Sequence, residues 1–285
     1  MDYLRQMYSD TTFRAEAADL PLKVYIDYMN SNFDESPLYL FDRSFAEKMN
    51  LEADDYQIPE CFKEDLFTVL GTQRPDHQWL IIGPERSGST FHKDPNATSA
   101  WNAVIRGSKY WIMFPGSKPP PGVYVSEDQS EVTSPLSIAE WLIGFHAEAR
   151  NTKGCIEGIC GQGEVLHVPS GWWHLVVNLE PSIAITQNFV PKQHLKKVVY
   201  FLREKSNQVS GFRADGTSTL WDLFEKEMER NHPTLLSEIS AREGGPCSKR
   251  KWDAVIDTGD ENGRTTNQFS FGFGADADDN SADVP

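Results

Sequence analysis

The sequence predicts a mainly β domain with flanking helices, built as an antiparallel sandwich or barrel. The middle of the chain contains about seven or eight short apolar runs separated by glycine and proline turns, as in such folds. From His194 onward, the apolar residues change to a helical spacing. With 285 residues, 39% of them hydrophobic, the chain is large enough to bury one substantial core.

The N-terminal part is expected to support this core. Residues 1–35 look helical and polar, and residues 22–29 place their apolar side chains at a helical period. Residues 36–42 form a short apolar run after a proline and favour a strand. Residues 43–60 are charged and suggest a surface helix and loop, and residues 59–67 indicate a short helix with proline at its start.

The strands of the barrel are predicted from apolar runs and period-two alternation. They are expected at residues 78–82, 90–94, 99–105, 109–114, 155–160, 164–168, 172–179 and 182–189. Arg106, Gly107 and Ser108 suit a hairpin turn between two of these runs. Residues 115–121 are proline-rich and predict a loop, and residues 137–145 an amphipathic helix in a long insertion.

Two helices are predicted after the barrel, over residues 195–205 and 219–229, the second capped by Thr217 or Ser218. Residues 244–285 are dominated by glycine, serine, asparagine and aspartate and predict a disordered tail.

The net charge of −15 argues against direct binding of nucleic acid, which depends on basic patches, and is compatible with a basic protein or peptide partner. Residues 253–285 contain eight acidic residues and one arginine, a charge of −7, which leaves −8 for residues 1–252.

Cysteine usage and hydropathy bear on the compartment. Only Cys155 and Cys160 of the four cysteines are close in sequence, which is a poor zinc signature and favours free thiols in the nucleus or cytosol. No apolar run approaches the roughly 18 residues of a membrane span. The first residues lack the charged-then-apolar progression of a signal peptide.

The strongest chemical signal combines His92, Asp94 and His174. Residues two apart on a strand face the same side, so His92 and Asp94 are expected to project together. His174 begins the apolar run 175–179 and also looks like a strand residue. Two histidines and one carboxylate form the facial triad that suits non-heme Fe(II). By itself, however, an H-x-D triplet is compatible with a surface turn.

Polar residues inside apolar runs are further candidates. Lys109 can reach the far carboxylate of a dicarboxylate cosubstrate, or it can be a lysine at the exposed start of a strand. Thr186 and Asn102 can bond such a carboxylate, or they can face outward. His167 and His146 are possible ligands, but a core or surface histidine is the favoured interpretation for both.

Six ordered blocks together resemble the jumonji C (JmjC) family, and most closely its phosphatidylserine-receptor-like lysyl hydroxylase branch. The blocks are GPERSG at 83–88, HKDP at 92–95, TSAWNA at 98–103, GSKYW at 107–111, VPSGWWH at 168–174 and IAITQNF at 183–189. Residues 36–42 (SPLYLFD) match the same branch, and the resemblance runs from about residue 20 to about 205.

The resemblance implies a double-stranded β-helix, a cupin-like jelly roll, that holds Fe(II) and uses 2-oxoglutarate and O2. The implied iron ligands are His92, Asp94 and His174. The residues implied to contact 2-oxoglutarate or line its pocket are Lys109, Thr186, Asn102, Asn188, Ser89 and Tyr39. The implied reaction couples oxidative decarboxylation of 2-oxoglutarate to hydroxylation of a protein side chain, with lysine as the first choice.

The resemblance also divides the chain. The expected parts are an N-terminal support segment (1–75), the catalytic JmjC barrel (76–205), C-terminal helices (206–243) and a disordered acidic tail (244–285). Family members extend further before the position that matches Met1, so part of the support of the barrel is expected to be missing. The acidic tail also departs from the family, and Lys249, Arg250 and Lys251 are only suggestive of a nuclear signal.

Three alternatives remain open at this point. Hydroxylation of an N-methyl carbon releases formaldehyde, so the same triad is compatible with a histone arginine or lysine demethylase. A non-catalytic cupin-like scaffold is a second possibility. Zinc in the same triad of a hydrolase is a third, although Lys109 and Asn102 would then have no evident role.

Overall fold

The computed structural model describes residues 1–52, 55–127, 130–135, 137–213 and 218–243. The predicted disordered tail, 244–285, lies outside them. The strands in the described part are β1 Thr12–Ala15, β2 Ala18–Pro21, β3 Leu40–Asp42, β4 Gln78–Gly83, β5 Gly88–His92, β6 Ser99–Arg106, β7 Ser108–Phe114, β8 Tyr124–Val125, β9 Val132–Thr133, β10 Ile156–Gly161, β11 Val165–Val168, β12 Trp173–Asn178 and β13 Ser182–Phe189. The α-helices are α1 Asp2–Tyr8, α2 Leu22–Ser31, α3 Phe45–Lys48, α4 Ile138–Asn151, α5 Leu195–Glu204, α6 Leu220–Asn231 and α7 Pro233–Glu243.

Two antiparallel sheets form the body of the molecule. The larger one has the strand order β11-β6-β13-β4-β3-β1-β2, and the smaller one has the order β10-β7-β12-β5. A separate two-stranded ribbon joins β8 and β9. Along the chain, β4, β6, β11 and β13 belong to the larger sheet, whereas β5, β7, β10 and β12 belong to the smaller one. This arrangement confirms the predicted mainly β jelly-roll barrel with flanking helices.

The predicted hairpin at residues 106–108 is wrong. β6 pairs with β11 and β13, whereas β7 pairs with β10 and β12, so the turn carries the chain from one sheet to the other. Gly107 has φ +83°, and a Cβ there would lie 2.7 Å from the carbonyl oxygen of Pro181. Only glycine fits this crossing. The residue types of the turn do not by themselves distinguish a crossing between sheets from a hairpin.

The N-terminal segment is less helical than predicted. Residues 12–21 form the β1–β2 hairpin, which extends the edge of the larger sheet beyond β3. The predicted helix at 22–29 is confirmed as α2. Its buried Tyr25 hydroxyl lies 2.8 Å from the carbonyl oxygens of Leu38 and Ile82, which anchors the helix to the chain before β3 and to β4.

The segment predicted as one helix over 59–67 contains two 3-10 helices instead, Glu60–Phe62 and Leu66–Gln73. They are separate because the Asp65 side chain accepts the Phe67 amide hydrogen and so starts the second segment as its cap. The same carboxylate accepts from Val190 N at 3.0 Å, just beyond β13. Asp65 therefore fastens this segment to the end of the barrel.

The C-terminal helices pack on that 3-10 segment, where Phe224 of α6 meets Phe67 edge-to-face at 5.1 Å between ring centroids. The predicted cap of α6, Thr217 or Ser218, is wrong. Thr219 caps the helix, and its hydroxyl accepts from Asp222 N while the Asp222 carboxylate accepts from Thr219 N. This reciprocal pair of hydrogen bonds requires two residues that are three positions apart in the sequence. Thr219 has that spacing to Asp222, whereas Thr217 and Ser218 do not.

We expect Thr219→Ala to lower the free energy of unfolding by about 1 kcal/mol, because it removes the hydroxyl that satisfies a first-turn amide. Ser218→Ala is the matched control and should change the free energy by less than about 0.5 kcal/mol. Chemical denaturation of the two variants measures the difference. If Ser218→Ala cost as much as Thr219→Ala, the assignment of the cap to Thr219 would be wrong.

None of the helices in the described ranges is both long enough and apolar enough to cross a membrane.

Candidate active site

A cavity opens between the two sheets. Both sheets contribute to its walls, and so do the residues just before β3 and just after β5. Its lining consists of Tyr39, Phe41, Trp79, Ile81, Ser89, His92, Asp94, Pro95, Ala100, Asn102, Trp111, Val168, His174, Val176, Thr186 and Asn188. The cavity is mostly apolar, with a few polar groups directed into it, which is the usual composition of a small-molecule site.

His92 and His174 meet across paired strands at one end of this cavity. β5 and β12 run antiparallel with His92 opposite His174, and the two imidazole centroids are 4.1 Å apart. The pairing register shifts between His174 and Val176. β5 approaches so closely that a Cβ on Gly88 would lie 2.0 Å from the Val176 carbonyl oxygen. Such irregularities redirect side chains beside active sites.

Both imidazoles are held in one tautomer. Nδ1 of His92 lies 2.7 Å from the Thr90 carbonyl oxygen, and Nδ1 of His174 lies 3.3 Å from that of Trp172. Because a carbonyl oxygen only accepts, each Nδ1 donates its hydrogen and each Nε2 carries the lone pair. Burial lowers the pKa of both rings, and for His174 the neighbouring His92 lowers the pKa further. Neutral imidazoles with a defined lone pair are suited to metal binding.

Asp94 reaches the same cavity from just beyond the strand, so the prediction of one strand over 90–94 is partly wrong. β5 ends at His92, because Pro95 opens a 3-10 turn in which Asn96 and Ala97 have positive φ. Asp94 itself keeps an extended backbone, and the intervening Lys93 points away, over the Trp173 ring at 4.7 Å. The expected projection of His92 and Asp94 into one space therefore holds.

The Asp94 carboxyl is an acidic group of the cavity with one oxygen, Oδ2, that is buried and without a hydrogen-bond partner in the described part of the chain. Burial raises the pKa of this carboxyl to about 7. An unpaired buried carboxylate is costly unless a cation compensates it. The donor set and this orphaned oxygen fit a divalent ion.

His92, Asp94 and His174 line one cavity but do not form a compact cluster. Within the described ranges, no three His, Cys, Asp or Glu side chains already converge tightly enough to hold a metal ion.

Lys109 is fully buried on β7. Its Nζ donates to the Tyr39 hydroxyl at 2.8 Å and to Asn178 Oδ1 at 2.8 Å. Burial lowers the pKa of this amine to about 7. Both hydrogen-bond partners are neutral, so the protonated amine has no negatively charged partner in this pair. An anion bound beside Tyr39 would supply that charge. The alternative of an exposed strand-start lysine is wrong.

The other predicted contacts lie on the cavity wall. Thr186 and Asn102 are cross-strand partners on β13 and β6, and the Thr186 hydroxyl donates to the Trp101 carbonyl oxygen at 2.8 Å. Asn102 Oδ1 is buried without a hydrogen-bond partner in the described part of the chain. Asn188, Ser89 and Tyr39 also line the cavity. The outward-facing alternative for Thr186 and Asn102 is therefore wrong.

Sequence reasoning missed Asn178 and Trp111. Asn178 lies opposite Lys109 across β12 and β7 and holds its amine, and its own Nδ2 donates to Ser87 Oγ at 2.9 Å. The signal was present, since Asn178 interrupts the apolar run 175–179. Trp111 stacks beside His174 with ring centroids 6.0 Å apart, and nothing in the sequence distinguished it from a core tryptophan.

His167 and His146 lie outside the cavity. The His167 ring packs against Phe62 and Phe189 at 5.4 and 5.9 Å, as a core histidine does. His146 contacts the Tyr110 hydroxyl at 2.9 Å on the surface of α4. These contacts agree with the favoured interpretation of a core or surface role.

Comparison with known proteins relates this architecture to a family. A family described as a cupin-like domain matches residues 5–194. Arginine-specific demethylase JMJ22 of Arabidopsis thaliana is 43% identical over 271 residues, which cover 95% of this chain and 54% of that protein. The bifunctional arginine demethylase and lysyl-hydroxylase psr-1 of Caenorhabditis elegans is 35% identical over 212 residues, 70% of this chain and 53% of that protein.

A more distant relative is the 2-oxoglutarate and iron-dependent oxygenase JMJD4 of Danio rerio. It is 29% identical over 209 residues, which cover 67% of this chain and 46% of that protein. The chain thus spans about half the length of these curated relatives.

Proposed function

The chain belongs to the cupin-like family, in its JmjC group, and on that premise we propose that it is an Fe(II)- and 2-oxoglutarate-dependent dioxygenase that hydroxylates a protein side chain. The observation that carries the proposal is one cavity, beside a buried lysine, that is lined by two facing imidazoles and by a carboxyl whose Oδ2 is buried without a hydrogen-bond partner among the described residues. Lysine is the favoured target residue.

His92, Asp94 and His174 are the proposed metal ligands. The tautomer of each imidazole and the orphaned Asp94 oxygen support this set. Fe(II) bound by two histidines and a carboxylate keeps open positions and supplies oxygen activation coupled to the oxidation of 2-oxoglutarate to succinate and CO2. The Thr90 and Trp172 carbonyl oxygens orient the imidazoles from behind.

Lys109 is the proposed partner of the distal carboxylate of 2-oxoglutarate. An ammonium group buried against two neutral groups favours an anion, since the new partner compensates its lost hydration. Thr186, Asn102, Asn188, Ser89 and Tyr39 are proposed to orient this cosubstrate through hydroxyl and amide groups on the same wall. Apolar neighbours such as Trp111 and Ile81 would exclude water from the bound cosubstrate.

The substrate is proposed to be a protein or peptide. The relatives named above are an arginine demethylase, an arginine demethylase and lysyl-hydroxylase, and an oxygenase. With a net charge of −15, the chain favours a basic peptide through long-range attraction. We propose a nuclear or cytoplasmic location, which the free Cys61, Cys155 and Cys160 support.

N-methyl demethylation of arginine or lysine is the second candidate, favoured by the 43% identity to an arginine-specific demethylase. The two reactions share the same hydroxylation step. They differ only in which carbon the cavity presents to the metal, because a hydroxylated N-methyl group breaks down to formaldehyde.

We expect the affinity for 2-oxoglutarate to fall as pH rises above about 7, because Lys109 has a pKa of about 7 when buried without an anion. Above that pH the free protein increasingly holds a neutral amine, which must take up a proton to pair with the carboxylate. The loss approaches about 10-fold per pH unit. Below pH 7 the contribution of Lys109 should be flat.

Calorimetric titration of Mn(II)-loaded protein with 2-oxoglutarate between pH 6.5 and 8.5 measures this dependence. Lys109→Arg is the control, since a guanidinium does not titrate in this range and its profile should stay flat. An equal affinity at both ends of the range for the wild type would contradict a titrating Lys109.

The proposed function is tested by succinate formation from anaerobically iron-loaded protein with lysine-rich and methylarginine peptides, followed by mass spectrometry. A peptide gain of one oxygen establishes hydroxylation, and loss of a methyl group with formaldehyde establishes demethylation. If iron-bearing, folded protein neither binds 2-oxoglutarate nor forms succinate, a scaffold role replaces the enzyme. Retention of zinc in preference to iron would indicate the hydrolase alternative.

A further inference from the structure

A second cavity, of about 270 Å³, shares no lining residue with the cavity that contains His92, Asp94 and His174, which we call the active cavity. The second cavity is lined almost entirely by polar residues. We call it the arginine cavity. Its lining residues come from three chain segments and are Arg43, Ser44, Thr72, Gln73, Arg74, Asp76, Gly211 and Arg213. Three arginines against one aspartate give this lining a formal charge of 3 − 1 = +2, in a chain whose net charge is −15.

The three segments are tied together before any ligand binds. Asp76 N donates to the Gly211 carbonyl oxygen at 2.9 Å, and the Asp76 carboxylate pairs with Arg43 at 2.6 Å. Gly211 has φ +68°, and a Cβ there would approach Asp76 N to 3.2 Å. The cavity is therefore a formed feature rather than a gap between loose loops.

The three arginines differ in the ion pairs that they already form. Arg74 is the inner one, with its side chain only 9% exposed, and it pairs with the buried Asp65 at 2.5 Å. Its Nε is buried without a hydrogen-bond partner in the described part of the chain. Arg43 is exposed and shares Asp76. Arg213 is exposed and forms no ion pair with any described residue.

We propose that the arginine cavity binds a phosphate group. Guanidinium groups match the oxygens of phosphate with paired hydrogen bonds, and the hydroxyls of Ser44 and Thr72 and the amide of Gln73 supply further donors. Among the residues that the structure describes, no aromatic or aliphatic side chain lines the cavity, so the recognised part is the charged group itself and not a base or an acyl chain. Asp65 pairs with Arg74 from behind the lining, so the three arginines outnumber the two paired aspartates by one and leave a positive charge for an anion.

The site has a structural link to the active cavity. Arg74 Nη2 donates to the Asn188 carbonyl oxygen at 2.9 Å, and the side chain of Asn188 lines the active cavity. Phosphate binding at this separate cavity would not depend on the proposed oxygenase activity.

Equilibrium dialysis of the full chain with radiolabelled inorganic phosphate at constant ionic strength tests the proposal. Arg43→Ala and Arg213→Ala should each weaken binding by about 10-fold, as loss of a charge-assisted hydrogen bond predicts. Arg106→Ala, which removes an exposed arginine of β6, should bind as the wild type does. Arg74→Ala is avoided because it would leave Asp65 buried without its cation.

Competition with O-phosphoserine and with acetate shows which kind of anion the arginine cavity binds. Binding of phosphoserine as tightly as inorganic phosphate supports a site that also accepts a phosphorylated side chain, and weaker binding supports a site for the free ion. Either result is consistent with a phosphate site. Equal affinity for acetate, equal losses in Arg106→Ala, or no saturable phosphate binding would overturn it. Circular dichroism confirms that each variant is folded.

Discussion

Replacement of His174 by alanine is expected to lower 2-oxoglutarate turnover by at least about 100-fold and to release iron. Even groups that only orient metal ligands cost roughly 10–100-fold when removed, so loss of a ligand should exceed that range. The His174 imidazole is buried and faces His92 at 4.1 Å, so no other described histidine is placed to replace it. Succinate formation and metal analysis after anaerobic loading measure both effects.

His146→Ala is the matched control for this prediction. It removes an imidazole from the surface of α4, where the ring contacts the Tyr110 hydroxyl and Glu157 rather than the active cavity. Turnover and iron content should stay close to those of the wild type. If His174→Ala kept more than a tenth of the activity, or if both variants lost iron equally, the proposed ligand set would be wrong.

Lys109→Met is expected to raise the KM for 2-oxoglutarate by about 10- to 100-fold, with a smaller effect on kcat at saturation. The estimate follows from the loss of charge-assisted hydrogen bonds, each worth about 1.5–3 kcal/mol. Methionine has nearly the length of lysine and no charge, so it keeps the packing between β7 and β12. Initial rates of succinate formation over a range of 2-oxoglutarate concentrations separate KM from kcat.

The stability of Lys109→Met distinguishes a binding role from a structural one. The substitution leaves Asn178 Oδ1 without its donor, which costs about 1–3 kcal/mol, but it also removes a buried cation that has no carboxylate partner among the described residues. The two effects oppose each other, so we expect a melting temperature close to that of the wild type. Lys118→Met, at an exposed loop lysine, should change neither KM nor stability.

A melting temperature that collapsed while KM stayed constant would assign Lys109 to structure alone. Unchanged KM and unchanged stability together would remove it from the proposed cosubstrate site.

Much of the site followed from patterns that are local in the sequence. The spacing of His92 and Asp94 predicted that both face one space, and they line one cavity even though the strand ends between them. The apolar run after His174 correctly predicted a strand. These inferences succeed because the period of a strand, and the polar residue that interrupts an apolar run, are properties of a few consecutive residues.

Other features depend on which segments meet, and local patterns do not specify that. The turn at Gly107 looks like a hairpin in the sequence. However, β6 pairs with β13 and β7 pairs with β12, and both partners lie more than fifty residues further along the chain. The N-terminal hairpin at 12–21 was hidden in a polar stretch, because its outer strand β2 lies at the edge of the sheet and has no fully buried residue.

The amino-acid sequence by itself therefore determined the mainly β architecture, the acidic character of the chain and the candidate residues that surround the active cavity. Only the tertiary structure decided that Lys109 is held by Tyr39 and Asn178, that Thr219 caps α6, and that three distant arginines share a second cavity. The physical reason is that strand periodicity is short-range, whereas register, burial and charge neighbours arise from contacts between residues far apart in the chain.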